Sequence, residues 1–175
     1  HLEGSIQPET VIDLSVKHGI ELPDYQEPGD LYDYPDIYEF LKMYDVAAHS
    51  VRDQEDFRRV AYETLEEAAD HNVRYREMFW SPMAHMESVV EYRTAVDGII
   101  QGIQDAETDF GVQCRLIADI NRMDTAEHGY EMVSIVAENP SFSNTCPKCP
   151  SHPAHMISTR RIPNELSTSV FTAPA

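Results

Sequence analysis

The chain has 175 residues, 42% hydrophobic and 25% charged, ordinary values for one globular domain with a real core. Its formal net charge of −18 argues against nucleic acid or an anionic membrane as partner, because phosphates would be repelled. No run approaches the ~20 apolar residues of a membrane span, and no signal peptide precedes the first motif. Cys114, Cys146 and Cys149 make no disulfide framework, so a reducing cytoplasm is the expected location.

In chain order, "SIQPETVIDLSVKHG" predicts a helix with Pro8 in its first turn, Glu9 at the positive end of the dipole and Gly19 just past its finish. "ELPDYQEPGDLYDYP" reads as a loop rich in Pro, Asp and Tyr, too long for a simple connection. "DIYEFLKMYDVAAHS" predicts a helix with Ile37, Phe40, Leu41, Tyr44 and Ala48 on one face. The next helix, "DQEDFRRVAYETLEEAADHN", aligns Phe57, Val60, Ala61, Leu65 and Ala68, with Asp53 as cap and Glu55/Arg59 as a solvated pair. "VRYREMFW" is short and aromatic and ends at Ser81-Pro82, so it reads as a strand. "TAVDGIIQGIQDAETDFG" returns to helix, "VQCRLIADIN" is a second strand, and "TAEHGYEMVSIVAEN" is a closing helix. With "HLEG" as the end of an earlier strand, the pattern is three βα units with parallel strands.

Composition breaks near Asn139 and Pro140. Beyond that point Glu165 is the one acid, five of the eleven prolines occur, and no sustained periodicity is left. The expected division is therefore residues 1–139 as a structured unit and residues 140–175 as an irregular tail. "CPKCPSHPAH" in the tail holds two cysteines, His152 and His155, which could bind zinc tetrahedrally. The second pair follows the first at once, however, and Pro147, Pro150 and Pro153 stiffen the loop, so the competing reading is a stretch unrelated to the fold, such as a shifted frame or a truncation artefact.

The densest chemistry stands first. His1, Glu3, Gly4 and Ser5 lie between a strand end and a helix start, where βα enzymes hold metals and substrates, although a turn with a helix cap has the same composition. His18, His49, His71 and His128 read as structural, in late helical turns or connections where a cation suits the dipole. Cys114 reads as a buried small hydrophobe. Arg122, ending the third predicted strand when that of "HLEG" is counted first, is either at the mouth of a site or in a structural ion pair.

"HLEGSIQPETVIDLSVKHGIELP" resembles the N-terminal signature of the adenosine deaminase family, which includes adenine deaminases: His-x-His-Leu-(Asp/Glu)-Gly-(Ser/Thr/Ala), a Pro-Glu helix, then "GI-LP". The stretches from Tyr38 to Pro82 and from Gly98 to Arg122 resemble later blocks of that family in order and spacing. The resemblance implies a zinc-dependent (β/α)8 barrel that deaminates purines hydrolytically. Zinc lowers the pKa of a bound water to near neutrality, and a glutamate, a histidine and an aspartate handle protons and orientation. It also implies residue roles. His1 matches the second of two paired metal-ligating histidines, Glu3 the acid facing the nucleoside or base, and Gly4 the close approach of backbone to ligand. Helix residues Phe40, Leu41 and Tyr44 correspond to the wall over the purine, although their spacing equally suits core packing. His85, in "SPMAHM", resembles a Pro-x-x-His arrangement of adenine-preferring members, so it joins Glu3 and Gly4 as a substrate-binding candidate. Phe79 stands where adenosine-specific members carry arginine, which leaves nucleoside and free base both open.

The proton-donor glutamate, the orienting histidine and aspartate, and the remaining metal ligands belong to later strands of the family and have no match here. The expectation is a partial barrel of about three βα units with extra helices after its first strand. No catalytic residue is assigned, and the chain alone should bind zinc weakly and deaminate nothing measurable. A non-enzymatic, truncated βα paralogue serving as an interaction or regulatory piece is the alternative.

Overall fold

A computed structural model describes residues 1–86, 90–120 and 125–138; Arg122, the Cys-x-x-Cys tail and the rest of 140–175 lie outside the described residues. A 3-10 turn, Glu3–Ser5, leads into helix α1 (Pro8–His18), a second 3-10 turn (Pro28–Tyr32), α2 (Ile37–Ser50) and α3 (Gln54–Asp70). Strand β1 (Tyr75–Trp80), the short α4 (Pro82–Met86), the long α5 (Tyr92–Phe110), strand β2 (Gln113–Ala118) and α6 (Ala126–Glu138) follow.

The two strands pair in parallel, from Tyr75 opposite Gln113 to Trp80 opposite Ala118. Parallel neighbours require a crossover, which α4 and α5 provide. At the far end the ladder continues, with the Asp119 amide donating to the Trp80 carbonyl at 2.9 Å. On the other edge of β1, the Leu2 amide donates to the Phe79 carbonyl at 2.8 Å. The opening segment thus docks beside β1 through one strand-like bond, but it folds into a 3-10 turn from Glu3 onward. Among the described residues there are two strands, where the sequence predicts three.

Helix termini follow their local signals. Pro8 occupies the first turn of α1, and Gly19 ends it at φ +67°, a left-handed position that glycine takes without a Cβ clash. The Asp36 carboxylate accepts from the Tyr38 and Glu39 amides at 2.8 and 3.0 Å, capping α2. Asp53 caps α3 through the Asp56 amide, and Asp56 returns the bond to the Asp53 amide. The predicted Glu55/Arg59 pair does not form. Arg59 instead reaches Glu63 and Asp13, while Arg58 takes Glu55 and Asp105, because the neighbouring helices place better-aligned carboxylates within reach.

The core lies between α3, α5 and the sheet. Phe57, Val60, Ala61 and Leu65 of α3 meet Val96, Ile99 and Ile103 of α5, all fully buried. Two glycines set the spacing. A Cβ on Gly98 would stand 2.8 Å from the Phe57 Cβ, and one on Gly102 would stand 2.9 Å from the Ala61 Cβ, with α3 carbonyls closer still. Backbones can therefore touch only where these side chains are absent.

Helix α2 departs from expectation. Of the predicted stripe, Ala48 alone is fully buried; Met43, Ala47 and Ser50 supply the rest of the buried face, and Ile37 and Leu41 are exposed. The helix rests on Met43 and its small residues, and Ile37 and Leu41 project away from the core. Cys114 is buried as expected. His18 bonds Asp56 at 2.7 Å, and His49 and His71 donate from Nδ1 to the carbonyls of Asp45 and Glu67 one turn back. His128 sits in the first turn of α6 rather than late in a helix, because α6 begins at Ala126.

Candidate active site

The C-terminal ends of β1 and β2 bring together His1, Glu3, Ser81, His85 and Asp119. The parallel register does this: with Trp80 opposite Ala118, the residues following each strand, Ser81 and Asp119, emerge side by side. The Leu2–Phe79 hydrogen bond then fixes the opening segment across the same end of the sheet. Strand ends of this kind collect functional groups because no ladder neighbour occupies the space beyond them.

Glu3 is the centre of the group. Its side chain is 1% exposed, yet its pKa is lowered by the groups around it. Oε1 accepts from the Ser81 amide at 2.9 Å and from His85 Nε2 at 3.3 Å, while Oε2 lies 3.7 Å from His1 Nδ1. Burial alone would push the carboxyl up; the nearby His1 imidazole and the hydrogen bonds from His85 and the Ser81 amide outweigh it and hold the pKa at about 2. Oε2 itself is buried and makes no hydrogen bond among the described residues.

His1 is 40% exposed, with its ring stacked on Phe79 at a centroid distance of 5.6 Å and 23° between planes. Its Nε2 lies 3.3 Å from Asp119 Oδ2. The Glu3 carboxylate, and secondarily Asp119, raise the imidazole's pKa against partial burial. Burial raises the pKa of Asp119, opposed by the Ser81 hydroxyl and His1, and its Oδ1 is buried without a hydrogen bond among the described residues.

Beside this cluster opens a cleft of about 450 Å³ lined by His1, Gly4, Ser5, Phe40, Leu41 and Tyr44. A smaller cavity of about 110 Å³ continues inward past Glu3 and Gly4 to Tyr32, Tyr34 and Met43. A Cβ on Gly4 would meet no protein atom within 4 Å, so this glycine is not demanded by packing and faces open space. Leu41 is 49% exposed, which removes core packing as its job. Burial raises the Tyr44 hydroxyl's pKa, and the nearby Glu3 carboxylate adds to the shift, so the hydroxyl stays protonated and able to donate. An open, apolar-walled cleft with a few polar groups at its base suits a small planar ligand.

The candidates thus occupy different depths. His1, Glu3 and Gly4 converge on the cavities, whereas His85 is 2% exposed and lines neither of the two. Asp119 and Ser81 belong to the cluster although the sequence did not single them out. An acid immediately after a predicted strand is the available signal for Asp119.

For a metal, the strand-end donors are chemically suitable. His1 presents its imidazole nitrogens to two carboxylates, Nδ1 to Glu3 and Nε2 to Asp119, and Asp119 Oδ1 is buried without a hydrogen bond among the described residues; zinc accepts such nitrogen and oxygen donors. His18, Asp53 and Asp56 also approach one another closely enough to hold an ion. There, however, Lys17 Nζ already bridges Asp53 at 2.7 Å and Asp56 at 2.6 Å, so a cation is supplied by the chain itself. That cluster ties α1 to the start of α3.

An imidazole, the buried Glu3 carboxylate and the half-buried Asp119 meet at the ends of two parallel strands, beside an apolar-walled cleft, in an α/β protein. The adenosine deaminase family model matches residues 1–141. The chain belongs to that family. It is 30% identical over 142 residues to an adenine deaminase of Vibrio parahaemolyticus, covering 79% of this chain and 42% of the relative. The solved adenine deaminase of Arthrobacter aurescens superposes with a TM-score of 0.71 at 31% identity, over 79% of this chain and 43% of that one. An amidohydrolase from Burkholderia ambifaria, solved with bound zinc, gives the same TM-score and identity over 79% of this chain and 39% of its own. The chain spans less than half the length of these relatives. Among the described residues, no helix is long and apolar enough to cross a membrane.

Proposed function

We propose that this chain forms the opening portion of a zinc-dependent (β/α)8 deaminase barrel, and that the intact protein hydrolyses adenosine or adenine to inosine or hypoxanthine plus ammonia. One observation carries the reading: His1, Glu3 and Gly4 meet at the parallel strand ends beneath a cleft walled by Phe40, Leu41 and Tyr44. Family membership and the zinc in the Burkholderia relative support it.

In this reading His1 is a metal ligand, with its ring held in plane by Phe79. When bound, zinc supplies Lewis-acid activation of water near neutral pH. Glu3 and Gly4 face the purine: the ionised carboxylate accepts a hydrogen bond from a ring N–H or a hydroxyl, and the glycine lets the ligand edge approach the backbone. Phe40, Leu41 and Tyr44 cover the aromatic faces and exclude water. His85 reaches the substrate side through Glu3. The partner is a small-molecule purine in the cytoplasm, with nucleic acid and membranes disfavoured by the charge of −18. The proton-donor glutamate and the orienting histidine and aspartate have no match in these 175 residues, so the chain alone is inactive.

The test is ammonia release from adenine and adenosine, with zinc, by the 175-residue chain and by a form extended with its flanking coding sequence. The expected result is a silent short chain and an active extended one. Inactivity of an extended form that carries a full metal-ligand set would contradict the proposal. Stop codons in every flanking frame would instead favour a non-enzymatic βα paralogue, for which the outer edge of β2, unpaired among the described residues, offers a pairing surface.

A further inference from the structure

We infer that His85 is a positioning residue that locks the Glu3 carboxylate in one orientation, leaving Oε2 as the oxygen presented to a ligand's N–H or O–H. The inference rests on the deaminase-site reading for the identity of that ligand, but the lock itself is a property of this chain.

The geometry points there from three directions. First, both side chains are almost wholly buried, at 1% and 2% exposure, so neither reaches solvent for a substitute partner. Second, Oε1 already accepts from the Ser81 amide, and it accepts from His85 as well, at 3.3 Å, when the ring proton sits on Nε2. The other ring nitrogen, Nδ1, is buried with no partner among the described residues. Third, the ring cannot turn away freely. Phe57 of α3 meets it edge-on at 4.9 Å and 72°, and Trp80 at the end of β1 lies 6.3 Å from it. Both aromatic neighbours are themselves fully buried.

The Ser81 amide completes the arrangement by donating to the same oxygen at 2.9 Å. Two fixed donors on Oε1 set the carboxylate plane, and Oε2, 3.7 Å from His1 Nδ1, is buried without a hydrogen bond among the described residues, in a side chain that lines the smaller cavity. A buried acceptor left open in this way costs stability unless a donor arrives, which is the signature of a group held ready for a ligand. The route runs from the α3 core, through Phe57 and His85, to Glu3. The packing of the helical layer therefore sets the orientation of the one buried carboxylate at the cleft.

The experiment is side-chain NMR on the 175-residue chain, with adenine as the probe, comparing wild type, His85→Gln and His85→Leu. Glutamine can place an N–H donor near the Nε2 position, whereas leucine fills space without one. Expected are an Nε2-protonated His85, a single Glu3 rotamer in wild type and H85Q, rotamer averaging in H85L, and adenine binding about tenfold weaker in H85L alone. An Nδ1-protonated His85 in the wild type overturns the lock and needs no variant to fold. So does a single Glu3 rotamer in H85L, or unchanged adenine affinity there. Equal loss in H85Q and H85L marks a packing role and also overturns it. A fixed Glu3 in a wild-type chain that binds neither adenine nor adenosine would contradict the deaminase-site reading while the lock stands.

Discussion

The α3–α5 layer and the strand-end cluster are built on opposite rules. Between the helices, Gly98 and Gly102 bring two backbones together, and the apolar side chains around them are fully buried. At the strand ends, Glu3 Oε2, His85 Nδ1 and Asp119 Oδ1 are buried without hydrogen bonds among the described residues, and Leu41 and Phe79 are exposed. The first region spends its residues on cohesion. The second holds polar groups in defined positions that no described residue hydrogen-bonds, and it is open on one side. A protein tolerates such groups where a ligand completes them.

That contrast can be broken most forcefully from the helical side. Gly102→Ala should destabilise the fold by about 3 kcal/mol, because the added methyl meets Ala61 and an α3 carbonyl that cannot retreat. Chemical denaturation measures it, and a loss under about 0.5 kcal/mol would mean the two helices are not in backbone contact.

The next effect comes from the strand ends and depends on pH. The folded pKa of Glu3, about 2, lies below its usual 4.5, so its ionisation stabilises the fold above pH 4.5. This contribution is lost as pH falls from 4.5 toward 2. Glu3→Gln should therefore cost on the order of 2 kcal/mol at neutral pH, with the gap to wild type closing on acidification. A gap that is constant across that range would show that Glu3 is not the ionised partner of His1 and His85.

The smallest effect on stability sharpens the comparison most. Leu41→Ser, on the exposed wall of the cleft, should leave stability within about 0.5 kcal/mol of wild type while weakening purine binding several-fold, by titration. A large stability loss would return Leu41 to the core.

The sequence carried the helices because their ends are chemically marked: Pro8 and Gly19 bracket α1, Asp36 caps α2, and Asp53 and Asp56 cap α3. The strands were legible from aromatic and β-branched runs bounded by Ser81-Pro82 and Gly111. The buried face of α2 was not. Ile37, Phe40, Leu41 and Tyr44 repeat with helical spacing, and periodicity identifies an apolar face without saying what covers it. Here Met43 and Ala47 go inward, and the larger stripe walls a cleft. At the site, His1, Glu3 and Gly4 were visible because they are adjacent in the chain and resemble a known signature. Ser81 and Asp119 were not, because 38 positions of sequence separate residues that only the parallel register makes neighbours. His85 was visible as a histidine after a strand, but its burial behind Glu3 is a tertiary fact, set by Phe57 and Trp80.

The most direct test of the central claim is amide chemical-shift mapping of the folded 175-residue chain during an adenine titration. The account predicts shifts concentrated at Gly4, Ser5, Phe40, Leu41 and Tyr44, with the Gly98 and Gly102 amides of α5 unmoved. Shifts confined to another face, or none at these five residues at saturating adenine, would contradict it.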